Sequence, residues 1–129
     1  ISLDSEDSEI RFSSRISPEL GEFTGDKVKL EEVVLNLLRN AKDAVKDDGV
    51  IILSADKENS QIVIRCTDNG CGIPDDETDR IFDPFFSHKE GGTGLGLSLS
   101  RRIVEAHRGT ISVSSSHETG TVFTVTLPV

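Results

Sequence analysis

Asn36 and Asn40 sit four residues apart in VVLNLLRNAKDAV (33–45), and Asp43 follows three residues later. At about 100° per residue on a helix, the three side chains fall within roughly 60° of one another. Leu30, Val33, Val34, Leu37, Leu38, Ala41, Ala44 and Val45 cover the adjoining arc of about 140°, and Arg39, Lys42 and Lys46 lie on the far side. The helix therefore carries a narrow stripe of two amides and a carboxylate between an apolar and a charged face. That stripe is either the polar edge of an amphipathic helix or the wall of a polar site.

Three further stretches hold residues able to do chemistry. GGTGLGLSLSRRIV places Gly91, Gly92, Thr93, Gly94 and Gly96 before and at a helix start. Free backbone N–H groups and the positive end of the helix dipole make such a junction an anion site, and glycine lets the backbone approach a phosphate; a flexible loop ahead of a helix reads the same way. In DNGCGIP (68–74), Asp68 ends a strand. A carboxylate at the mouth of an apolar sheet can accept a hydrogen bond from an exocyclic amine such as that of adenine, and Gly70 and Gly72 leave room for a flat ring. Asp-Asn-Gly is also ordinary turn chemistry. In IFDPFFSHK (81–89), Phe82, Phe85 and Phe86 bracket Pro84 as a plug between loop and core, and Lys89 either reaches a phosphate or stays solvated.

The spacing G-x-G-x-G at Gly92, Gly94 and Gly96 is no dinucleotide fingerprint, and GxxxxGK[ST] does not occur. Cys66 and Cys71 have no second pair, so neither a zinc site nor a disulfide framework is expected. A net charge of −9 excludes broad binding to nucleic acid or anionic lipid, though not one anionic ligand held by local dipoles and a metal ion. No apolar run approaches a membrane span, and the acidic start ISLDSEDSEI is unlike a signal peptide. The 129 residues, without a single Met, are expected to be one domain (1–129) cut from a larger protein, reduced and cytoplasmic.

The elements that must hold these residues follow from pattern. Residues 1–9 read as frayed or a weak edge strand, and IRFSSRI (10–16) alternates like a strand. A loop over 18–26 leads to a long helix over 27–46, with Gly49 as its stop. VIILSAD (50–56) and QIVIRCTD (61–68) pair as a hairpin, and a helical turn follows over 76–82. A second amphipathic helix spans 95–107, and GTISVSSS (109–116) and TVFTVTLP (121–128) close a second hairpin. This order predicts a two-layer α/β sandwich, its sheet mixed and mostly antiparallel, with helices on one face.

Taken in order, Asn36/Asn40, DNGCGIP, DPFF and GGTGLGL resemble the N box, first glycine box, F box and second glycine box of sensor histidine kinases. The chain from about residue 30 to 128 is similar to their catalytic, ATP-binding domain. That domain belongs to the GHKL superfamily with gyrase, the mismatch-repair ATPases and the heat-shock chaperone, and has the Bergerat fold. The resemblance implies an ATP site of Asn36, Asn40, Asp43, Asp68, Gly70, Gly72, Ile73, Phe82, Phe85, Lys89, Gly92, Thr93, Gly94, Leu95, Gly96 and Leu97. By the same resemblance Asn40 ligates Mg²⁺, Asn36 lines the same pocket, Asp68 fixes adenine, and the amides of residues 92–96 wrap the phosphates. The resemblance also implies that residues 87–92 are a short, glycine-rich lid of the nitrogen-regulator type. Asp43 stands where the ATP-hydrolysing relatives also carry Asp.

Those relatives place a glutamate four residues before the magnesium asparagine, where it activates water. Here the position is Asn36, which cannot act as a general base, so the γ-phosphate is expected to pass to a histidine rather than to water. His88 falls in the lid, His107 ends a helix and His117-Glu118 falls in a hairpin turn, so none suits a phosphoacceptor. The resemblance thus implies a kinase domain that is incomplete alone. Its partner is a helical dimerisation and histidine phosphotransfer domain of the same kinase, which relays to a response regulator. This piece is expected to be monomeric and free of membrane contact, although parents of this type are often membrane-anchored. The rival readings are a serine kinase acting on an anti-sigma partner and a nucleotide-sensing docking module.

Overall fold

A computed structural model describes residues 10–18, 20, 23–45, 48–86, 95–116 and 119–129. Its elements are β1 (Ile10–Ile16), α1 (Lys27–Ala44), β2 (Gly49–Glu58), β3 (Gln61–Asp68), α2 (Gly96–Ala106), β4 (Thr110–Ser116) and β5 (Gly120–Pro128). The five strands form one sheet in the order β1-β2-β3-β5-β4. β1 runs parallel to β2, and the other neighbours are antiparallel. A parallel pair needs a long crossover, and α1 supplies it.

Side-chain alternation sorts the sheet into two faces. Ile62, Ile64 and Cys66 of β3 pair across the sheet with Leu127, Val125 and Phe123 of β5 on one face. These pack with Val33, Leu37 and Ala41 of α1 and Ile103 and Val104 of α2 in one core. Arg65 and Thr67 alternate with them onto the open face, opposite Thr124 and Val122. The fold is the expected two-layer sandwich. Asn59 and Ser60 close the β2–β3 hairpin with φ of 50° and 63°, the paired left-handed residues that match the twist of adjoining strands.

Helix boundaries depart from the sequence pattern in one instructive way. Gly49 reads as the stop of α1, but α1 ends at Ala44, where Val45 caps it through an N–H to the Ala41 carbonyl. Gly49 instead begins β2, opposite Ile10 of β1. Asp48, with φ of 58°, makes the left-handed bend that Gly49 was expected to make. At the other end, the Asp26 carboxylate accepts the Lys29 N–H at 3.0 Å and caps the helix. Residues 75–82 form consecutive turns, held by the Arg80 and Ile81 N–H groups donating to the Glu77 carbonyl.

Candidate functional site: a polar row beside a helix end

Strand register places Asp68, Thr121 and Ser115 side by side across β3, β5 and β4. The next row on the same face is Leu53, Cys66, Phe123 and Val113. A polar row thus ends an apolar sheet face. Asp68 and Thr121 are each only 3% exposed. The Ser115 hydroxyl lies 3.0 Å from that of Thr121 and accepts the Ile73 N–H at 2.6 Å, which ties the loop after β3 to the row.

Burial pushes the Asp68 carboxyl above its ordinary range, although the backbone amides of Gly70 and Thr121 both donate to it. The Gly70 N–H lies 2.8 Å from Oδ1. A carboxylate offers about four acceptor positions, so two donors leave capacity for an incoming amine. Burial also lifts the Cys66 thiol to about 11, helped by the Asp68 charge; its Sγ sits 3.8 Å from the Leu37 carbonyl. This thiol is inert packing.

Two glycines fix the row by close approach. Gly120 has φ of +99°, and a Cβ there would run into the Asp68 carbonyl oxygen. At Gly70 a Cβ would strike the backbone of Ala44, the last residue of α1. The Cys71 N–H next to it donates to the Ala44 carbonyl at 3.2 Å and satisfies one orphan acceptor of the helix end. Gly70, expected to leave room for a ring, is therefore required by the helix end beneath it.

α1 meets α2 one stretch earlier. The Asn36 amide donates to the Gly96 carbonyl at 3.3 Å and to the Ser100 hydroxyl at 3.2 Å. Asn40 is thus placed between two contacts, one turn after Asn36 and one turn before Ala44, which faces Gly70. From Asn36 to Ala44 is about 12 Å of helix. Asn40 is half-buried and Asp43 exposed. Leu95 precedes α2 with no side-chain cap, and the partly buried Leu97 packs on the core. Phe82 meets Phe123 edge-on at 6.3 Å, and Phe86 packs against the core under the Arg80 guanidinium, 4.9 Å from its ring centroid. Phe85, by contrast, is 75% exposed with φ of 68°. Lys89, Gly92, Thr93 and Gly94 lie outside the described residues, as do His88 and His117.

Thr121 and Ser115 escape sequence reasoning, yet they form the row with Asp68. A cavity of about 990 Å³ opens at the opposite end of α1, lined by Phe23, Val28, Leu35 and Leu127 among others, and includes none of the expected site residues. Its wall is apolar, whereas the chemistry lies with the buried carboxylate. Among the described residues no cluster of three His, Cys, Asp or Glu side chains could hold a metal, and no helix is long and apolar enough to cross a membrane.

Residues 25–129 match the family described as histidine kinase-, DNA gyrase B- and HSP90-like ATPase. The chain is 41% identical over 129 residues to the sensor histidine kinase ZraS of Escherichia coli (strain K12), covering 100% of this chain and 28% of ZraS. It is 44% identical over 121 residues to the signal transduction histidine-protein kinase AtoS of the same strain, covering 93% and 20%. It therefore spans about a quarter of these curated relatives. The catalytic domain of histidine kinase ThkA superposes with a TM-score of 0.83 at 32% identity, covering 92% of this chain and 78% of that one. Full-length ShkA in complex with AMPPNP gives 0.84 at 27% identity, covering 92% and 25%. The chain belongs to the histidine kinase-, DNA gyrase B- and HSP90-like ATPase family and is, within it, a catalytic domain of the histidine kinase type.

Proposed function

We propose that this domain binds Mg·ATP and supplies the γ-phosphate to a histidine on a separate helical dimerisation domain of a longer sensor kinase, for relay to a response regulator. The observation that carries the reading is Asp68, a desolvated carboxylate in a polar row with acceptor capacity to spare. It takes the exocyclic amine of adenine, and Gly72 and Ile73, in the loop tied to Ser115, border the ring. Gly96, Leu97 and the start of α2 face the phosphate end. Gly92, Thr93, Gly94 and Lys89 join them there by resemblance, and Phe82 and Phe85 precede that segment in the chain.

Asn40 suits Mg²⁺. An amide oxygen is a hard, neutral donor, and magnesium keeps waters and phosphate oxygens as its other ligands rather than a cage of carboxylates. With Asn36 unable to accept a proton, no general base faces water from this position. The unprotonated imidazole nitrogen bonds to phosphorus as the bond to the ADP oxygen breaks, and the proton on the other ring nitrogen leaves to solvent.

The test has two stages. Melting followed by far-UV circular dichroism with and without Mg·ATP measures binding; a ligand at 100 times its dissociation constant adds about 2.7 kcal/mol, or several degrees. Mixing with the helical histidine domain of the parent kinase then reads transfer. Acid-labile, base-stable phosphate on the helical domain is expected. Acid-stable phosphate points to a serine kinase instead, and binding without transfer to a nucleotide-sensing module.

A further inference from the structure

Asn36 stands where a direct ligand contact is expected, but its side chain is engaged elsewhere. Its amide nitrogen faces two groups of α2, the Gly96 carbonyl at 3.3 Å and the Ser100 hydroxyl at 3.2 Å. The Gly96 carbonyl can only accept, so the NH₂ end of the amide must point at α2. Oδ1 lies 3.5 Å from an Arg39 guanidinium nitrogen and borders Gly96, where a Cβ would stand 3.7 Å from it. Ser100 is fully buried, at 0% exposure, where an unpaired hydroxyl is costly. Every buried side-chain polar atom among the described residues has a partner, and for Ser100 that partner includes Asn36.

From these contacts we infer that Asn36 is a positioning residue: its amide locks the first turn of α2 to α1 and so sets Gly96, at the head of α2, relative to Asn40. Gly96 is the first residue of α2, directly after the glycine-rich segment. Asn40 is the next turn of α1 on the same face. The Asn36 side chain therefore ties the helix turn that carries the residue placed at the metal to the helix end placed at the phosphates. The inference also explains why position 36 is an amide. A carboxylate there would set an oxygen against the Gly96 carbonyl and push α2 away. Asparagine is needed as a donor, independently of the missing general base.

This inference rests on the ATP reading above, and the experiment separates their failures. Dissociation constants for Mg·ATP by calorimetry and for adenosine by amide chemical-shift titration are measured on the wild-type domain, Asn36→Ala, Ser100→Ala and the double variant. Adenosine reports the Asp68 row alone; ATP reports the row and the helix ends together. Each single variant is expected to weaken ATP about tenfold and to leave adenosine within about twofold. The double variant is expected to match Asn36→Ala, because that substitution already removes both the Ser100 and the Gly96 contacts.

Loss in Asn36→Ala with none in Ser100→Ala would show that the hydroxyl contact does not hold the seam, and the inference as a two-point lock fails. It also fails if the two losses multiply, or if adenosine weakens as much as ATP, since a general loosening of the fold would do that. No ATP binding by the wild type sinks the ATP reading itself and the inference with it. Should Asn36→Ala fail to fold, Ser100→Ala, which removes only a hydroxyl, still carries the split between ATP and adenosine. The isosteric Asn36→Asp is expected to match or exceed the loss in Asn36→Ala, because it exchanges a donor for a charged acceptor.

Discussion

Asp68 and Asn36 mark opposite ends of the proposed nucleotide site, and they are held there by different means. Strand register sets Asp68: it lies between Ile51 of β2 and Thr121 of β5, in a sheet whose ladders fix every neighbour. Two side-chain hydrogen bonds at a helix seam set Asn36. A sheet position can move only if the ladder slips, which turns side chains to the wrong face. A helix seam can slide by fractions of a turn. The adenine end is therefore expected to be rigid, and the phosphate end to be the adjustable one. Substitutions at the two ends should accordingly differ in kind.

The sharpest contrast comes from Asp68→Asn. Removing the carboxylate should weaken ATP at least a hundredfold, about 2.7 kcal/mol, and abolish the melting shift with Mg·ATP. The free domain should keep its melting temperature within about 4 °C, the effect of roughly 1 kcal/mol. The sign follows from linkage. Burial raises the folded-state pKa of Asp68 above its unfolded value, so ionisation favours the unfolded chain. Any stability from the neutral form is complete below the unfolded value of about 3.9 and is lost as pH rises through the folded value. At neutral pH the charge is a cost, which the asparagine relieves while giving up a hydrogen bond. A collapse of the free domain in urea would show that Asp68 is needed for folding rather than for binding.

Gly120→Ala probes the same end through the backbone. With φ of +99° and the Asp68 carbonyl in the way, an alanine is expected to cost about 2–3 kcal/mol and to take ATP binding down with it. A urea midpoint unchanged from wild type would show that the β5 turn can shift, and that the adenine end is less rigid than its ladders imply. Acidification is a milder probe. ATP affinity should fall as pH drops through the raised Asp68 value, beginning above the ordinary carboxylate range, while the Asp68→Asn variant should show no such step. Calorimetry across that range checks it.

The same contrast explains what was legible in the sequence. Alternation in QIVIRCTD and TVFTVTLP exposes the strands, and Asp68 stands out as an acid at a position whose parity is apolar. Thr121 and Ser115 do not stand out. Hydroxyl residues are common in strands, and only the pairing of β3 with β5 and of β5 with β4 shows that they share a row with Asp68. The stripe of Asn36 and Asn40 is visible from helical periodicity. Its partner is not, because Gly96 and Ser100 lie 60 and 64 residues away. Gly49 misleads for a local reason: a glycine soon after an apolar helix reads as a cap, yet the left-handed turn falls on Asp48.

The smallest expected effect tests whether the adjustable end is local to the Asn36 seam or a property of the whole helix pair. α1 and α2 have a second tie at their distal ends. The His107 ring donates from Nδ1 to the Ile103 carbonyl at 2.8 Å, since a carbonyl can only accept, which leaves Nε2 to accept the Asp26 N–H at 3.0 Å. Phe23 packs beside the ring at 6.4 Å between centroids. This histidine closes the far end of the pair and has no free nitrogen to offer a phosphate. His107→Ala should cost about 1 kcal/mol in a urea melt and leave the ATP dissociation constant within about twofold. If ATP weakens there as much as in Ser100→Ala, the two helices move as one rigid unit, and the spacing to Asn40 is set along the whole seam rather than at Asn36.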